Sequence, residues 1–212
     1  MNYNKLMEEE LNIIKAEGKT PSVLLHSCCA PSSSHVIDLL TEYFDITILY
    51  YNPNIEPYEE YKKRKEEEIR FINEYPSKNK LTIIDCDHEN DIFHECIKGL
   101  EKEKEGGARC IKCYHLRLDK TAKIASELSF DYFATTLTVS PLKNSEKLNQ
   151  IGEYLSKIYG VKYLYSDFKK KEGYKHSIEL AKEYNLYRQD YCGCIYSKQE
   201  RELQKQNKKT ED

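Results

Sequence analysis

Six of the eight cysteines in this 212-residue chain fall in three close pairs: Cys28/Cys29, Cys110/Cys113 and Cys192/Cys194. Thiolates at such spacings hold zinc or iron–sulfur centres, or cycle as redox pairs. Cys110-Ile-Lys-Cys113 lets two thiolates reach one metal centre, and Gly106 and Gly107 before it free the backbone to wrap a cofactor. A thioredoxin-type motif of the same spacing would instead open a helix directly after a strand. In Cys192-Gly-Cys194, an extended backbone points both side chains the same way, toward one metal. A disulfide between them would be strained and easily reduced, a redox pair rather than a staple. Cys28 and Cys29 face opposite ways if the strand before them continues. A turn at Ala30-Pro31 brings both to one side, to serve one cluster or two neighbouring centres. Six thiolates exceed the four of one structural zinc site and fit a four-iron cluster plus a second site or redox pair. Cys86 and Cys96, unpaired in sequence, read as core packing.

The elements that must position these residues alternate in type. Residues 2 to 17 read as a helix ended by Gly18, followed by a short apolar strand at 22 to 27 that leads into Cys28. Helices are expected at 33–43, 57–75, 90–98, 114–128, 145–158 and 177–185, and strands at 46–50, 81–85, 131–136 and 161–165. This alternation predicts an α/β fold: a mainly parallel sheet with helices on both faces, carrying a metal-bearing loop insertion at 99–113. No internal repeat or long Pro/Gly/Ser linker divides the chain. Residues 1–212 are therefore read as a single domain, with an N-terminal helix at 1–20, an α/β core at 22–197 and a charged tail at 198–212.

Composition narrows the chemistry further. With 39% apolar and 33% charged residues the chain is globular. No apolar run approaches the roughly 20 residues of a membrane span, and no signal-peptide core opens the chain, so a cytoplasmic protein with no membrane partner is expected. A net charge of −3 exerts no global pull on nucleic acid, which leaves any RNA contact to a local basic patch. Lys62-Lys63-Arg64-Lys65 runs straight into Glu66-Glu67-Glu68 and reads as a solvated helix face. Lys143 and Lys147, and Lys169, Lys170 and Lys171, follow strand ends on the same rim as the cysteines and are the candidate phosphate contacts; the tail adds Lys205, Lys208 and Lys209. Tyr50, Tyr51, Tyr191 and Tyr196 lie beside the motifs, where a base would stack. Tyr114, Tyr191 and His26 are the groups nearest the thiols in sequence that can carry a proton. No G-x-G-x-x-G or Walker A sequence follows any strand, so redox electrons would arrive through metal or thiols rather than a bound nicotinamide.

Five motifs occur in order: HSCCAP (26–31), YYNPNI-x-P-x-x-EY (50–61), RC-x-x-CY-x-x-RL (109–118), TTLTVSP-x-K (135–143) and LYRQDYCGC-x-YS (186–197). Together they resemble the epoxyqueuosine reductase QueH family, over about residues 22 to 197. The resemblance implies a Rossmann-like metalloenzyme of queuosine biosynthesis. It would reduce the epoxide of epoxyqueuosine at the wobble position of a tRNA with a GUN-type anticodon, with electrons from an external donor. It also implies a four-iron, four-sulfur cluster and an additional redox or iron centre. Carried over by motif, Cys28, Cys29, Cys110 and Cys113 are the cluster ligands, and Cys192 and Cys194 the redox-active pair or second iron site. Many members have a third cysteine where this chain has Ser32, and a hydroxyl is a much poorer iron ligand. Either that position is not an obligatory ligand or an oxygen substitutes there. Two rival readings remain: an iron–sulfur tRNA-thiolating enzyme, for which the Pro31–Ser34 turn is a poor phosphate loop, and a zinc-stabilised RNA-binding module.

Overall fold

The computed structural model describes residues 1–210, with side chains as far as residue 207. The tail lysines Lys208 and Lys209 therefore have side chains outside the described residues. In chain order the elements are α1 (Tyr3–Glu17), β1 (Ser22–His26), α2 (Ala30–Leu40), β2 (Asp45–Tyr50), α3 (Tyr58–Glu74), β3 (Leu81–Asp85) and α4 (Asn90–Cys96). They continue with α5 (Ala108–Glu127), β4 (Tyr132–Thr135), a 3-10 turn at Thr136–Val139, α6 (Ser145–Tyr159), β5 (Lys162–Tyr163), α7 (Gly173–Glu183) and α8 (Ile195–Thr210).

Alternating side chains along a strand point to opposite faces, and here each face is apolar. Val23, Leu25, Ile46, Ile48 and Ala134 pack on one side against Met7 and Leu11 of α1, Val36 and Ile37 of α2 and Phe71 of α3. Leu24, Leu49 and Phe133 pack on the other against Leu118 and Ala122 of α5 and Leu148 and Leu155 of α6. Among the described residues the strands form one all-parallel sheet in the order β3-β2-β1-β4-β5. The α/β architecture expected from the alternation is the observed one. β1 is central: the chain winds outward through β2 and β3, then crosses back to lay β4 on the other side. The crevice between the carboxyl ends of β1 and β4 is thus a topological switch point, the place where open parallel sheets bind ligands.

Several boundaries differ from the sequence expectation. Helix α5 starts at Ala108, so Cys110 and Cys113 lie on its opening turns and not in a loop insertion. Gly107 ends the loop as the residue before the helix, and its carbonyl accepts from the Cys110 and Ile111 amides. The edge strand β5 is only two residues long because Asn149 of α6 captures the backbone that would extend it, accepting from Ser166 N at 2.9 Å and donating to Ser166 O at 2.8 Å. Helix α7 begins four residues earlier than expected, at Gly173. A Cβ there would lie 1.9 Å from the Phe168 carbonyl oxygen, so the glycine serves close packing rather than breaking the helix.

A second glycine makes the same point inside α6. A Cβ on Gly152 would sit 2.3 Å from Cζ of the buried Tyr163 ring. Gly152→Ala is expected to destabilise the fold by about 1–3 kcal/mol, as overpacking does. Urea unfolding measures this, and an unchanged midpoint would show that the ring moves aside freely.

Candidate active site

The turn after β1 is fixed from beneath. His26, fully buried, places Nδ1 3.1 Å from Thr135 Oγ1 at the end of β4 and donates from Nε2 to Tyr51 O at 3.1 Å. Burial, with the Arg117 charge adding to it, lowers this imidazole to about 3, so it is a neutral tie between strand ends and not an acid. Asn52 Nδ2 donates to Ser27 O at 2.8 Å, and Ser27 N donates to Leu49 O at 3.1 Å. Cys28 and Cys29 emerge from this turn with their sulfurs 3.8 Å apart. Cys29 is the cap residue of α2, and Pro31 occupies the first helical turn, where its missing N–H costs nothing.

The two thiols are shifted in opposite directions. Cys29 is held well below the usual thiol range by its hydrogen bond with Cys28, by the Arg64 charge and by Ser32 and Gln189, all against its burial. Gln189 Nε2 lies 2.9 Å and Ser32 Oγ 3.2 Å from Cys29 Sγ. Cys28, its partner, is pushed well up by the same pairing and by burial. Ser32, left open by the sequence as a ligand, is a hydrogen-bond partner of the Cys29 sulfur in this structure.

The second pair comes from α5. Residues three apart on a helix share a face, and Cys110 and Cys113 do. Gly106 N donates to Cys110 Sγ at 3.2 Å. Burial raises Cys113 to about 12, opposed by Arg117 one turn further along the same face. Arg109, also buried, closes the preceding loop: it donates to the Glu101 and Glu103 carbonyls, pairs with Glu200 of α8 at 3.0 Å and lies 4.8 Å from the Tyr196 ring.

The third pair lies on the strap that leads into α8. Gly193 has φ +146°, and a Cβ there would meet Ile55 Cγ1 at 3.0 Å and Asn54 Nδ2 at 3.2 Å, so only glycine lets the strap lie this close to the β2–α3 loop. Glu56 N donates to Gly193 O at 2.9 Å, and Tyr191 Oη donates to Glu56 O at 2.7 Å. Cys194 packs with Phe93, Ile97 and Cys113, and its sulfur accepts from Ser197 N at 3.4 Å. Cys192 instead lines a cleft of about 460 Å³ together with Cys28, Ser32, Lys143, Gln189 and Tyr191. Cys192 and Cys194 therefore sit in different surroundings, and all eight cysteines are free thiols.

Two of the six paired thiols, Cys28 and Cys192, line this cleft; Cys29 adjoins Cys28, and Cys110, Cys113 and Cys194 lie near enough to Cys192 to interact with it, with cations among them. Arg117 is buried, and although burial disfavours its charge, Cys113, Cys192 and Cys28 more than offset this. Lys143 is half-buried at the cleft; burial acts against its charge, Cys192 and Cys28 favour it, and the net shift is upward. Soft thiolates backed by buried positive charge fit an iron–sulfur centre. Among the described residues, no three His, Cys, Asp or Glu side chains stand at the spacing of a single metal ion.

Other expected contacts are placed elsewhere. Lys169 pairs with Asp167 and donates to Ser145 Oγ at 3.0 Å, and Lys170 lines a separate cavity between α1 and α2. Of Lys143, Lys147, Lys169, Lys170 and Lys171, only Lys143 lines the cleft. Tyr50 and Tyr51 are core residues rather than stacking platforms, and Tyr114 is buried beside Cys110. Tyr191 borders the cleft with its ring 5.1 Å from the Arg64 guanidinium. Cys86 packs at the edge of the second core, and Cys96 is half-buried outside the cleft. The charge run at 62–68 is only partly a solvated face, since Arg64 and Glu68 are both fully buried. The helical spacing Tyr61, Arg64, Glu68, Phe71, Ile72 marks that stripe, and it was legible.

Glu68 lies near the Ser27 and Ser33 hydroxyls, and among the described residues no cation pairs with it. Burial raises its carboxyl from 4.5 to about 8, with Cys29 adding to the rise and the two hydroxyls opposing it. The folded state then holds a proton that the unfolded state has lost, so Glu68 makes stability fall as pH rises from 4.5 to about 8. Glu68→Gln, neutral throughout, is expected to remove that slope in urea titrations across the window. An identical slope in the variant would show that Glu68 ionises normally.

The sequence profile described as "Epoxyqueuosine reductase QueH" matches residues 23–200. "Epoxyqueuosine reductase QueH" of Streptococcus pyogenes serotype M1 is 44% identical over 199 residues, covering 93% of this chain and 78% of that protein. The Staphylococcus epidermidis protein of the same name is 42% identical over 201 residues, covering 93% and 84%. That of Thermotoga maritima is 36% identical over 183 residues, covering 85% and 92%. The matched span contains all six paired cysteines, and on that footing the chain belongs to the epoxyqueuosine reductase QueH family.

Proposed function

We propose that this chain reduces the epoxide of epoxyqueuosine in tRNA to the alkene of queuosine. Two C–O bonds break, two electrons and two protons enter, and the oxygen leaves as water. The observation that carries this reading is the convergence of three cysteine pairs on one region, with Cys28 and Cys192 lining the cleft beside Lys143 and Arg117 buried among the thiols, in a chain of this family. Cys28, Cys29, Cys110 and Cys113 are the proposed ligands of a four-iron cluster. Such a cluster supplies electrons one at a time from an external donor. Cys192 and Cys194 are the proposed second centre, as a redox-active pair or as ligands of a further iron. Their different surroundings suit unequal roles, Cys192 facing substrate and Cys194 facing Cys113.

The chain's own groups do the rest. Lys143 borders the cleft with its ammonium charge reinforced by the thiols, and it is placed to stabilise the oxygen as its bonds to carbon break. Ser32 keeps its hydroxyl on the Cys29 sulfur as a hydrogen-bond partner. The wobble nucleoside must leave the anticodon stack to enter, as single-stranded loops allow. Arg188 and Arg201 stand on the cleft rim, both exposed, and among the described residues no ion pair engages Arg188. These two are the proposed phosphate contacts, in place of Lys169 and Lys170. Among the described residues no helix is long and apolar enough to cross a membrane, and action on tRNA in the cytoplasm follows from the proposed substrate.

The direct test supplies anaerobically purified protein with epoxyqueuosine-containing tRNA and dithionite, and follows nucleosides by mass spectrometry. Conversion to queuosine is expected, and iron-loaded protein that forms none would refute the activity. Cys113→Ala is expected to lose both visible absorbance and turnover; a brown, active variant would remove Cys113 from the ligand set. Arg188→Ala is expected to lower the slope of log affinity against log salt by about 0.7–0.9, the loss of one phosphate contact. An unchanged slope would place Arg188 outside the tRNA interface.

A further inference from the structure

The geometry points to Arg64 as the residue that positions the Cys192–Cys194 strap over the Cys28–Cys29 turn. It rests on the proposed activity only for its kinetic consequence. Arg64 projects from the second turn of α3 into the interior, 1% exposed, within a run whose neighbours Lys62 and Lys63 are on the surface. Nη1 donates to the Cys192 carbonyl at 3.0 Å and Nη2 to the Tyr191 carbonyl at 3.4 Å. Nε donates to Glu60 Oε1 at 2.7 Å, and Glu60 in turn accepts from Tyr187 Oη at 2.9 Å. The guanidinium also lies over the Tyr191 ring.

This single side chain therefore reads two successive carbonyls of the strap, one of its rings and a carboxylate anchored to the strap's upstream end. Such a planar fork is specific to arginine; an ammonium has no equivalent pair of parallel donors. Burying a guanidinium is costly unless it is paired and its donors are used, and here they are. The bonds run to backbone, so they fix where the strap runs whatever side chains it carries. Arg64 also acts electrostatically on the thiol at the other side of the gap, because its charge favours the ionised Cys29. Among the strap's other ties, those to Glu56 and through Gln189 to Cys29 lie on either side of Cys192 and leave its carbonyl to Arg64. Arg64 does not line the cleft, so it is a positioning residue and not a catalytic one.

The test compares Arg64→Lys and Arg64→Met with Lys62→Ala, a surface control on the same helix, by amide hydrogen exchange and by steady-state turnover. Both Arg64 variants are expected to exchange the amides of residues 190–197 about tenfold faster or more, since each charge-assisted hydrogen bond lost is worth at least that in a local opening equilibrium. Exchange in β1 and β2 should match wild type, and kcat should fall while KM for tRNA holds, with Arg64→Lys failing to rescue. Unchanged exchange at 190–197, exchange raised equally through the sheet, or rescue by lysine would each overturn the assignment. Should Arg64→Met fail to fold, Arg64→Lys alone decides the matter. The exchange arm needs no turnover, so wild-type protein inactive on epoxyqueuosine would refute the proposed activity and leave this inference standing or falling on its own data.

Discussion

Ionised sulfurs repel one another, and bringing three cysteine pairs close together is favourable only if positive charge stands among them. Arg117 lies buried along the Cys113 face of α5, Arg64 reaches beneath the strap, and Lys143 enters from the loop after β4. Each comes from a different element, and each is a base whose charged form the thiols favour against burial. The opposite assignment falls to Glu68, a carboxyl left without a counterion because Arg64, one turn away, turns to Glu60 instead. The site thus sets buried positive charge among its sulfurs, favours the ionised form of Cys29 and keeps the buried Glu68 carboxyl protonated well above its ordinary range.

The sheet order makes this assembly possible. The turn after β1 and the loop after β4 open on the same edge at the switch point, so Cys28, Cys29 and Lys143 meet without long excursions of the chain. Helix α5 lies across the face of β1 and β4 and presents its first turns to that edge. The strap then closes the cleft late in the sequence, pinned to the loop after β2. A neutral His26 joins the strand ends beneath the cysteine turn and makes the floor rigid.

Much of this was readable before the structure. Apolar strands alternating with amphipathic helices settle the α/β class, because burial on both faces of a parallel sheet demands it. Motif spacing singles out the paired cysteines, and of these Cys28 and Cys192 line the cleft at the switch point. Tertiary choices were harder. Whether Gly106-Gly107 ends a loop or opens a helix depends on Arg109 closing the loop above, a contact with Glu101, Glu103 and Glu200 that spacing does not reveal. The run Lys62 to Glu68 carries only charged side chains, so hydrophobicity alone hides the two that turn inward; the helical period that includes Tyr61, Phe71 and Ile72 exposes them. Lys169 and Lys170 follow a strand, yet the backbone captured by Asn149 carries them away from the cleft.

In the proposed arrangement, thiols from the β1 turn and from α5 hold one iron–sulfur centre at the switch point. Diffraction from anaerobically purified protein at the iron absorption edge tests this most directly. Anomalous density enclosed by the sulfurs of Cys28, Cys29, Cys110 and Cys113 is expected. Iron bound away from those four, or zinc in their midst, would contradict it.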